Sequence, residues 1–539
     1  MRVGLAIAAW ALAALPVHAQ SGPASAIVPP DRADRHPAAH AGRGRTVGHL
    51  PRGSAAGSVQ PFVLTHVAID GSSLPDSTFA PAIAPFLGKS LDAAQVQALV
   101  DALADIYERS DVALYTLVVP TQDHAGGVLR LTAVEGAIER VVVRGAGAKM
   151  RRLVGNTLAP LIREHPLAKG SLQRRVSLVR DIAGLNPDIS FERGDQQGMV
   201  RLVVVAKPRP IQLAFGLNDR GTALLGKTQG EIDLYANSLI AGGDQLRLSY
   251  ARPIRAPYYQ AASIAYAVPL DADGLTLQVN AGRLKTRPRD IPIHGHATSL
   301  GGTISYAAIR DFRTNLVVSA GLDGVNSNNA FLGALFSNER SRALRLASAL
   351  TISSDRNAFS ASVSESFGLD AFGAHLFDPT LSELDFRKTN LRLADNLAIG
   401  KTFALRLNGA AQATGDRLPA TEQFTLGGDE FGRAYETALL SGDTGYAGSA
   451  EFAWVPAGLP QSVAGSEIYS FVDGGHVRTH ARAGFDGFSS HLGSWGGGAR
   501  LAVLNRVVLQ LEAARGFNNP VFYEDRRKWR LLFAIRSVL

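Results

Sequence analysis

The chain has 539 residues, a formal net charge of +8, a mean hydropathy of +0.04 and 46% hydrophobic residues. It contains 0 cysteines, which excludes disulfides and thiolate metal sites. No apolar run beyond the N-terminal segment is long enough for a membrane helix. A membrane-spanning form would therefore have to be a closed β-barrel, in which apolar and polar residues alternate and cancel in a window average.

The N-terminus reads as a secretory signal peptide over residues 1–19. Arg2 gives a positive start, residues 5–15 an apolar run, and Val17-His18-Ala19 a small-residue cleavage site. Residues 20–61 are rich in Pro, Gly, Ala and Arg and read as a linker. A helix able to plug a barrel is conceivable only over residues 31–41, which Pro37 interrupts. His36, His40 and His49 are irregularly spaced on this segment and predict solvated histidines, with no metal site.

Residues 62–139 follow as a small α+β module. Residues 62–69 predict a strand, and Val96, Leu99, Val100, Leu103 and Ile106 form a helical stripe. A strand over residues 128–134 leads into Glu135-Gly136. Residues 140–209 repeat the scheme, with a strand at 138–143, a helix at 172–182 and a closing strand at 199–205. The order of elements and the Val-Glu-Gly close resemble a POTRA domain, and Asp181-Ile-Ala-Gly184 resembles the helix-ending segment of a second POTRA. The first module holds Lys89, Arg109 and Arg130 against ten acidic residues, a net of −7. The second holds fourteen basic and five acidic residues, a net of +9. Arg174 and Arg175 in the basic module are the candidates for binding an acidic client.

From residue 210 to 539 the pattern turns to period two. Leu246, Leu248 and Tyr250 alternate with Gln245, Arg247 and Ser249, and Phe403, Leu405 and Leu407 with Ala404, Arg406 and Asn408. Near the end, Trp529, Leu531, Phe533, Ile535 and Leu539 share a face against Arg530 and Arg536. At about 20 residues per strand and turn, this length predicts about sixteen antiparallel strands. The fold class is β-rich: a transmembrane antiparallel β-barrel preceded by two small α+β POTRA domains.

Two nucleotide-like motifs fail on context. Gly221-Thr-Ala-Leu-Leu-Gly-Lys-Thr228 matches the P-loop pattern, but Ile232 and Leu234 alternate with Asp233 and Tyr235 where a helix would be needed. Gly145-Ala-Gly147 imitates a dinucleotide fingerprint without its third glycine. No cofactor and no catalytic constellation is predicted, so the chain reads as a pore and not an enzyme.

The segment Phe424-Thr-Leu-Gly-Gly-Asp-Glu-Phe-Gly-Arg-Ala-Tyr435 and the later Phe471-Val-Asp-Gly-Gly475 carry the functional reading. They resemble the two motifs of two-partner secretion transporters, the haemolysin secretion/activation (TpsB) family within the BamA-like superfamily. There a loop motif, usually VRGY, folds back into the barrel and faces the wall motif F-x-D-x-G. Arg433 and Tyr435 match, Gly432 and Ala434 replace the usual Val and Gly, and the wall motif is complete in Phe471, Asp473 and Gly475. The resemblance implies that Arg433 pairs with Asp473 in the lumen, as a bidentate guanidinium–carboxylate contact. Tyr435 and Phe471 would pack beside the pair, and Gly432, Gly474 and Gly475 would leave room for it.

The resemblance also implies the function. A monomeric pore in the outer membrane of a Gram-negative bacterium, with its POTRA domains in the periplasm, would export an unfolded TpsA-type partner protein without ATP. Outer-membrane lipids are its other partners, and no nucleic acid is expected. The alternative is an outer-membrane barrel assembly and insertion factor, which would share the layout but carry more POTRA copies.

Overall fold

A computed structural model describes residues 54–55 and 60–538, apart from 197, 332–333, 485, 505 and 520–527. The expected signal peptide, the plug segment at 31–41 and the terminal Leu539 lie outside the described residues.

The first module is a sheet in the order Ser54–Ala55, Tyr115–Val119, Val128–Glu135, His66–Asp70. Helix Ala93–Arg109 starts at a capping box, in which Asp92 accepts from the Gln95 amide and Gln95 accepts from the Asp92 amide. It buries Val96, Leu99, Val100, Leu103 and Tyr107 against that sheet. The expected single strand at 62–69 is two short ones, Phe62–Val63 and His66–Asp70, in separate sheets. Glu135 of the Val-Glu-Gly close is a buried acceptor: Tyr107 donates to it at 2.9 Å and the Ser73 amide at 2.8 Å. Burial pushes the Tyr107 phenol above its ordinary range.

The second module is a sheet in the order Ala137–Arg144, Met199–Pro208, Leu185–Arg193, covered by helices Ala148–Leu158 and Lys169–Arg180. Strand Leu185–Arg193 and helix Ala148–Leu158 carry weak patterns in the sequence. The helix has three basic residues, Lys149, Arg151 and Arg152, in its first turns and buries only Met150, Val154, Thr157 and Leu158.

Strand Ile211–Asn218 begins a closed barrel of sixteen antiparallel strands that ends with Arg530–Val538. Each strand pairs with the next in sequence, except that the loop between Phe403–Thr414 and Thr444–Trp454 contributes a separate hairpin, Phe424–Leu426 with Leu440–Gly442. First and last strands close the ring through the pairs Ala214↔Val538 to Asn218↔Ala534. The segment 221–228 is a connection that enters strand Gln229–Asn237, so the P-loop pattern has no helix behind it.

Burial is inverted relative to a soluble sandwich. Leu531 is 77% exposed, Leu300 69% and Leu511 68%, whereas Ser249, Asp233, Ser366 and Glu512 are buried inside. Aliphatic side chains point out and polar ones in, the arrangement that hydrocarbon surroundings require. Aromatic pairs mark both rims: Phe403 stacks on Phe452 at 5.4 Å toward the modules, and Trp495 meets Trp529 edge-on at 5.2 Å toward the other end. No described helix is long and apolar enough to cross a membrane.

This inversion is testable with one substitution on each face. Leu346 is 46% exposed on the outer face, in the strand adjoining the one that carries the inward Ser362. Leu346→Arg should lower barrel stability by about 2–4 kcal/mol in lipid vesicles. Ser362→Arg should cost much less, as read by urea unfolding of the heat-modifiable species.

Candidate functional site

The loop between Thr414 and Thr444 turns back into the lumen and seats its tip against the wall strands Thr444–Trp454, Glu467–Thr479, Phe488–Val503 and Val507–Gly516. Period two along Glu467–Thr479 turns Phe471, Asp473, Gly475 and Val477 inward, and sends Ile468 and Val472 outward at 55% and 48% exposure. The loop packs Phe424, Leu426, Phe431 and Tyr435 on this inner face.

Asp473 receives the tip. Its buried carboxylate accepts the Gly432 amide at 2.9 Å, the Arg433 amide at 3.2 Å and the Ser494 hydroxyl at 2.5 Å. Two consecutive backbone donors can converge on one carboxylate because Gly432 takes φ +89°. A Cβ there would sit 2.5 Å from Leu492 Cδ1, so this tip has no room for the usual Val. Gly475 plays the matching role on the wall, where a Cβ would lie 2.7 Å from Leu426 Cδ2.

The guanidinium of Arg433 goes elsewhere, which corrects the expected bidentate pair. Its Nη1 donates to Glu451 at 2.8 Å and to Glu512 at 3.3 Å, while Nε stands 3.7 Å from Asp473 and makes no hydrogen bond. The Phe471 ring lies beneath it, 4.2 Å from the ring centroid. The physical reason is geometric. Asp473 is short and already occupied by two loop amides and Ser494, so the long arginine reaches past it to carboxylates on neighbouring strands. Tyr435 is anchored as well, donating to the carbonyls of Gly493 at 3.0 Å and Asn518 at 2.8 Å, while Arg530 donates to its carbonyl at 2.8 Å.

Glu451 and Glu512 belong to a neutralised network. Glu451 also accepts from Arg500 and Arg406, both at 2.7 Å; Glu467 accepts from the same two arginines at 2.6 Å. Glu512 accepts from Arg220 at 2.9 Å and from Tyr469 at 2.8 Å. Four guanidinium groups thus face the carboxylates of Glu451, Glu467, Asp473 and Glu512, and the charges of the buried carboxylates are balanced. Sequence reasoning missed Glu451, Glu467 and Glu512. The available signal was strand parity: Glu512 alternates with the outward Leu511, so it must face the lumen.

Arg174 and Arg175 occupy a different place from the one expected. Arg174 donates to the Ala307 carbonyl at 2.9 Å and the Asp273 carbonyl at 2.8 Å, and its Nε lies 3.3 Å from the Asp273 carboxylate. Arg175 lies 3.0 Å from that carboxylate. Both side chains are only about a fifth exposed (21% and 19%), so they join the second module to a barrel turn instead of facing a client. Asp181, which caps helix Lys169–Arg180, completes the joint with a two-pronged contact to Arg310, both oxygens at 2.5 Å. Gly184 follows at φ +68°, where a Cβ would lie 2.4 Å from Asn237 of the barrel. The Asp-x-x-Gly segment is therefore a docking element.

Comparison with known proteins bears on this geometry. Residues 198–501 match the family model described as haemolysin secretion/activation protein ShlB/FhaC/HecB, and residues 62–136 that of the ShlB-type POTRA domain. The chain is similar to the outer membrane transporter CdiB of Escherichia coli O6:K15:H31 (strain 536 / UPEC), 22% identical over 486 residues, covering 86% of this chain and 80% of that protein. It is 23% identical over 469 residues to CdiB of Dickeya dadantii (strain 3937), covering 83% and 81%. Among solved structures, CdiB from Escherichia coli superposes with a TM-score of 0.70 at 18% identity, over 91% of this chain and 93% of that one. BamA from Haemophilus ducreyi lacking POTRA domains 1–3 gives 0.54 at 11%, over 89% and 100%. At these identities the structural likenesses speak to fold alone.

Two predictions follow from the geometry. Gly432→Ala should weaken tip seating by about 1–2 kcal/mol, the usual penalty for a side chain in left-handed backbone. The Arg433 amide should then exchange about 5- to 30-fold faster. The second concerns the joint. Burial alone would raise the Asp273 carboxyl, but hydrogen bonds from Arg174 and Tyr306 and the charges of both arginines hold it below its ordinary range. A depressed carboxylate contributes stability above its unfolded pKa and loses it as pH falls through the folded one. Energy transfer between labels on the second module and the barrel should therefore fall on acidification below the ordinary carboxylate range. Asp273→Asn should show the loosened value at neutral pH.

Proposed function

The chain belongs to the haemolysin secretion/activation protein family (ShlB/FhaC/HecB), and we propose that the folded-back loop closes its pore at rest and is released to let a client through. As a member of that family it is an outer-membrane transporter of two-partner secretion that exports a partner protein, with its POTRA modules in the periplasm. The family match favours export over the barrel-assembly alternative.

One observation carries the latch reading. The loop tip is seated on the inner wall, held by wall acceptors: two amides on Asp473, a third on Ser494, and the Arg433 Nη1 on Glu451 and Glu512. An extended client passing along this stretch of the wall meets the tip. It must displace the tip, and the lost contacts must be replaced by water or by the client's own backbone.

The client is an unfolded TpsA-type chain captured by strand addition at a POTRA sheet edge. The first module supports this: its edge strand Tyr115–Val119 already accepts Ser54–Ala55 of the same chain as an extra parallel strand. Export runs without ATP, driven by folding of the client outside, and the chain has no catalytic activity of its own. One chain closes the ring by itself, which supports a monomeric pore, and the outward aliphatic band is its surface toward outer-membrane lipids.

Secretion assays on assembled, heat-modifiable protein test the latch. Arg433→Ala and Asp473→Ala should each raise the resting open fraction and reduce secretion several-fold, because a tip that no longer seats cannot be released in step with the client. Removing Asp473 leaves two buried amides without acceptors, at about 1–3 kcal/mol each, whereas Glu451 and Glu512 keep other arginines when Arg433 is removed. The double variant should be no worse than Asp473→Ala alone, because both act on the same tip. Fully additive losses would contradict a single latch.

A further inference from the structure

Resting on the latch reading, we propose that Glu422 is a positioning residue at a second, separate anchor, which holds the foot of the loop while the tip moves. Glu422 ends the short turn Ala420–Glu422 just before the luminal hairpin, and it is fully buried. Arg345 donates to its two carboxylate oxygens at 2.9 and 3.2 Å, and Lys388 lies 2.8 Å away. Lys388 also donates to the Glu422 carbonyl at 3.1 Å, as does Gln412 at 3.1 Å. Asp323 takes the other prong of Arg345 at 2.6 Å, so two carboxylates and two cations compensate one another.

These partners stand on strands Thr314–Phe331, Ala334–Ser353, Arg387–Ile399 and Phe403–Thr414. The contacts of Gly432 to Tyr435 lie from Thr444 onward, while Glu430 pairs with Arg392 on Arg387–Ile399, and the two groups of partners share no residue. A charge cluster buried this completely is costly to open one partner at a time, since the abandoned charge has no water to turn to. The tip combines three amides, which can exchange one acceptor for another, with one guanidinium, Arg433, whose partners Glu451 and Glu512 keep other cations when it leaves. Its release therefore comes first, and the loop swings about Glu422 without leaving the barrel. The foot anchor fixes which arc of the wall stays covered and on which side the passage opens.

The chain has 0 cysteines, so a pair of introduced cysteines carries all of the label in the full-length, lipid-reconstituted protein. One spin-label pair joins the foot, at Ala420, to the outward-facing Leu391; another joins the tip, at Asp429, to Val472. Arg433→Ala should broaden the tip distance and leave the foot distance sharp. Lys388→Met should broaden the foot distance and raise the open fraction in planar bilayers at least threefold above that of Arg433→Ala alone when the two are combined. Lys388→Arg, which keeps the charge, should restore both. Glu422→Gln carries the same test should Lys388→Met fail to assemble. A sharp foot distance and an unchanged open fraction in the assembled variants would overturn the second anchor. An unchanged tip distance and unchanged secretion in Arg433→Ala would instead overturn the latch itself.

Discussion

A loop tip packed against the inner wall of a membrane barrel buries backbone donors there, and each must find an acceptor on the wall. Asp473 answers that requirement at the tip, with one carboxylate for two consecutive amides and a serine hydroxyl. The rest of the site is arranged around this contact. Gly432 supplies the backbone turn that aims both amides, Leu492 fills the space a side chain would take, and the Arg433 side chain is carried onward to Glu451 and Glu512. The arginine contributes charge compensation and cation–π packing on Phe471, while the aspartate fixes the backbone.

A different arc of the barrel meets the periplasmic side through a separate joint. Arg310, at the end of the strand Ile293–Arg310, grips Asp181 of the second POTRA module, and Arg174 and Arg175 grip the turn at Asp273. Gly184 lets the module approach the barrel at Asn237 without a gap. Partly exposed pairs of this kind are individually weak, and a joint made of them is suited to shifting when a client loads the modules. The basic excess of the second module is thus spent partly on the barrel's own turns, which explains why charge counting alone pointed to an external partner.

Much of the fold was legible because a barrel writes its two faces directly into alternate positions. Leu248 and Tyr250 against Arg247 and Ser249 gave the outward and inward faces, and length gave the strand number. The helix Ala93–Arg109 was readable from its stripe, whereas helix Ala148–Leu158 was not, since only one narrow edge of it is buried. The motif residues Arg433 and Asp473 do meet, but their division of labour depends on which strand neighbours stand beside them. Ser449↔Asp473↔Ser494 and Glu451↔Phe471 are register facts, and register across a long loop cannot be read from local spacing. The Glu422 cluster was illegible for the same reason: Asp323, Arg345 and Lys388 lie on neighbouring strands, but only the fold-back of the long loop brings Glu422 onto them.

The central claim is that a seated tip means a closed pore. Ala434 donates its amide to Ser494 at 3.3 Å, so cysteines at these two positions would bring the tip and the wall within reach of a short cross-link. In an otherwise cysteine-free chain, the account predicts that cross-linking Ala434→Cys to Ser494→Cys stops secretion, and that reductant restores it in the same cells. Secretion continuing at the unlocked rate with the cross-link complete would contradict it.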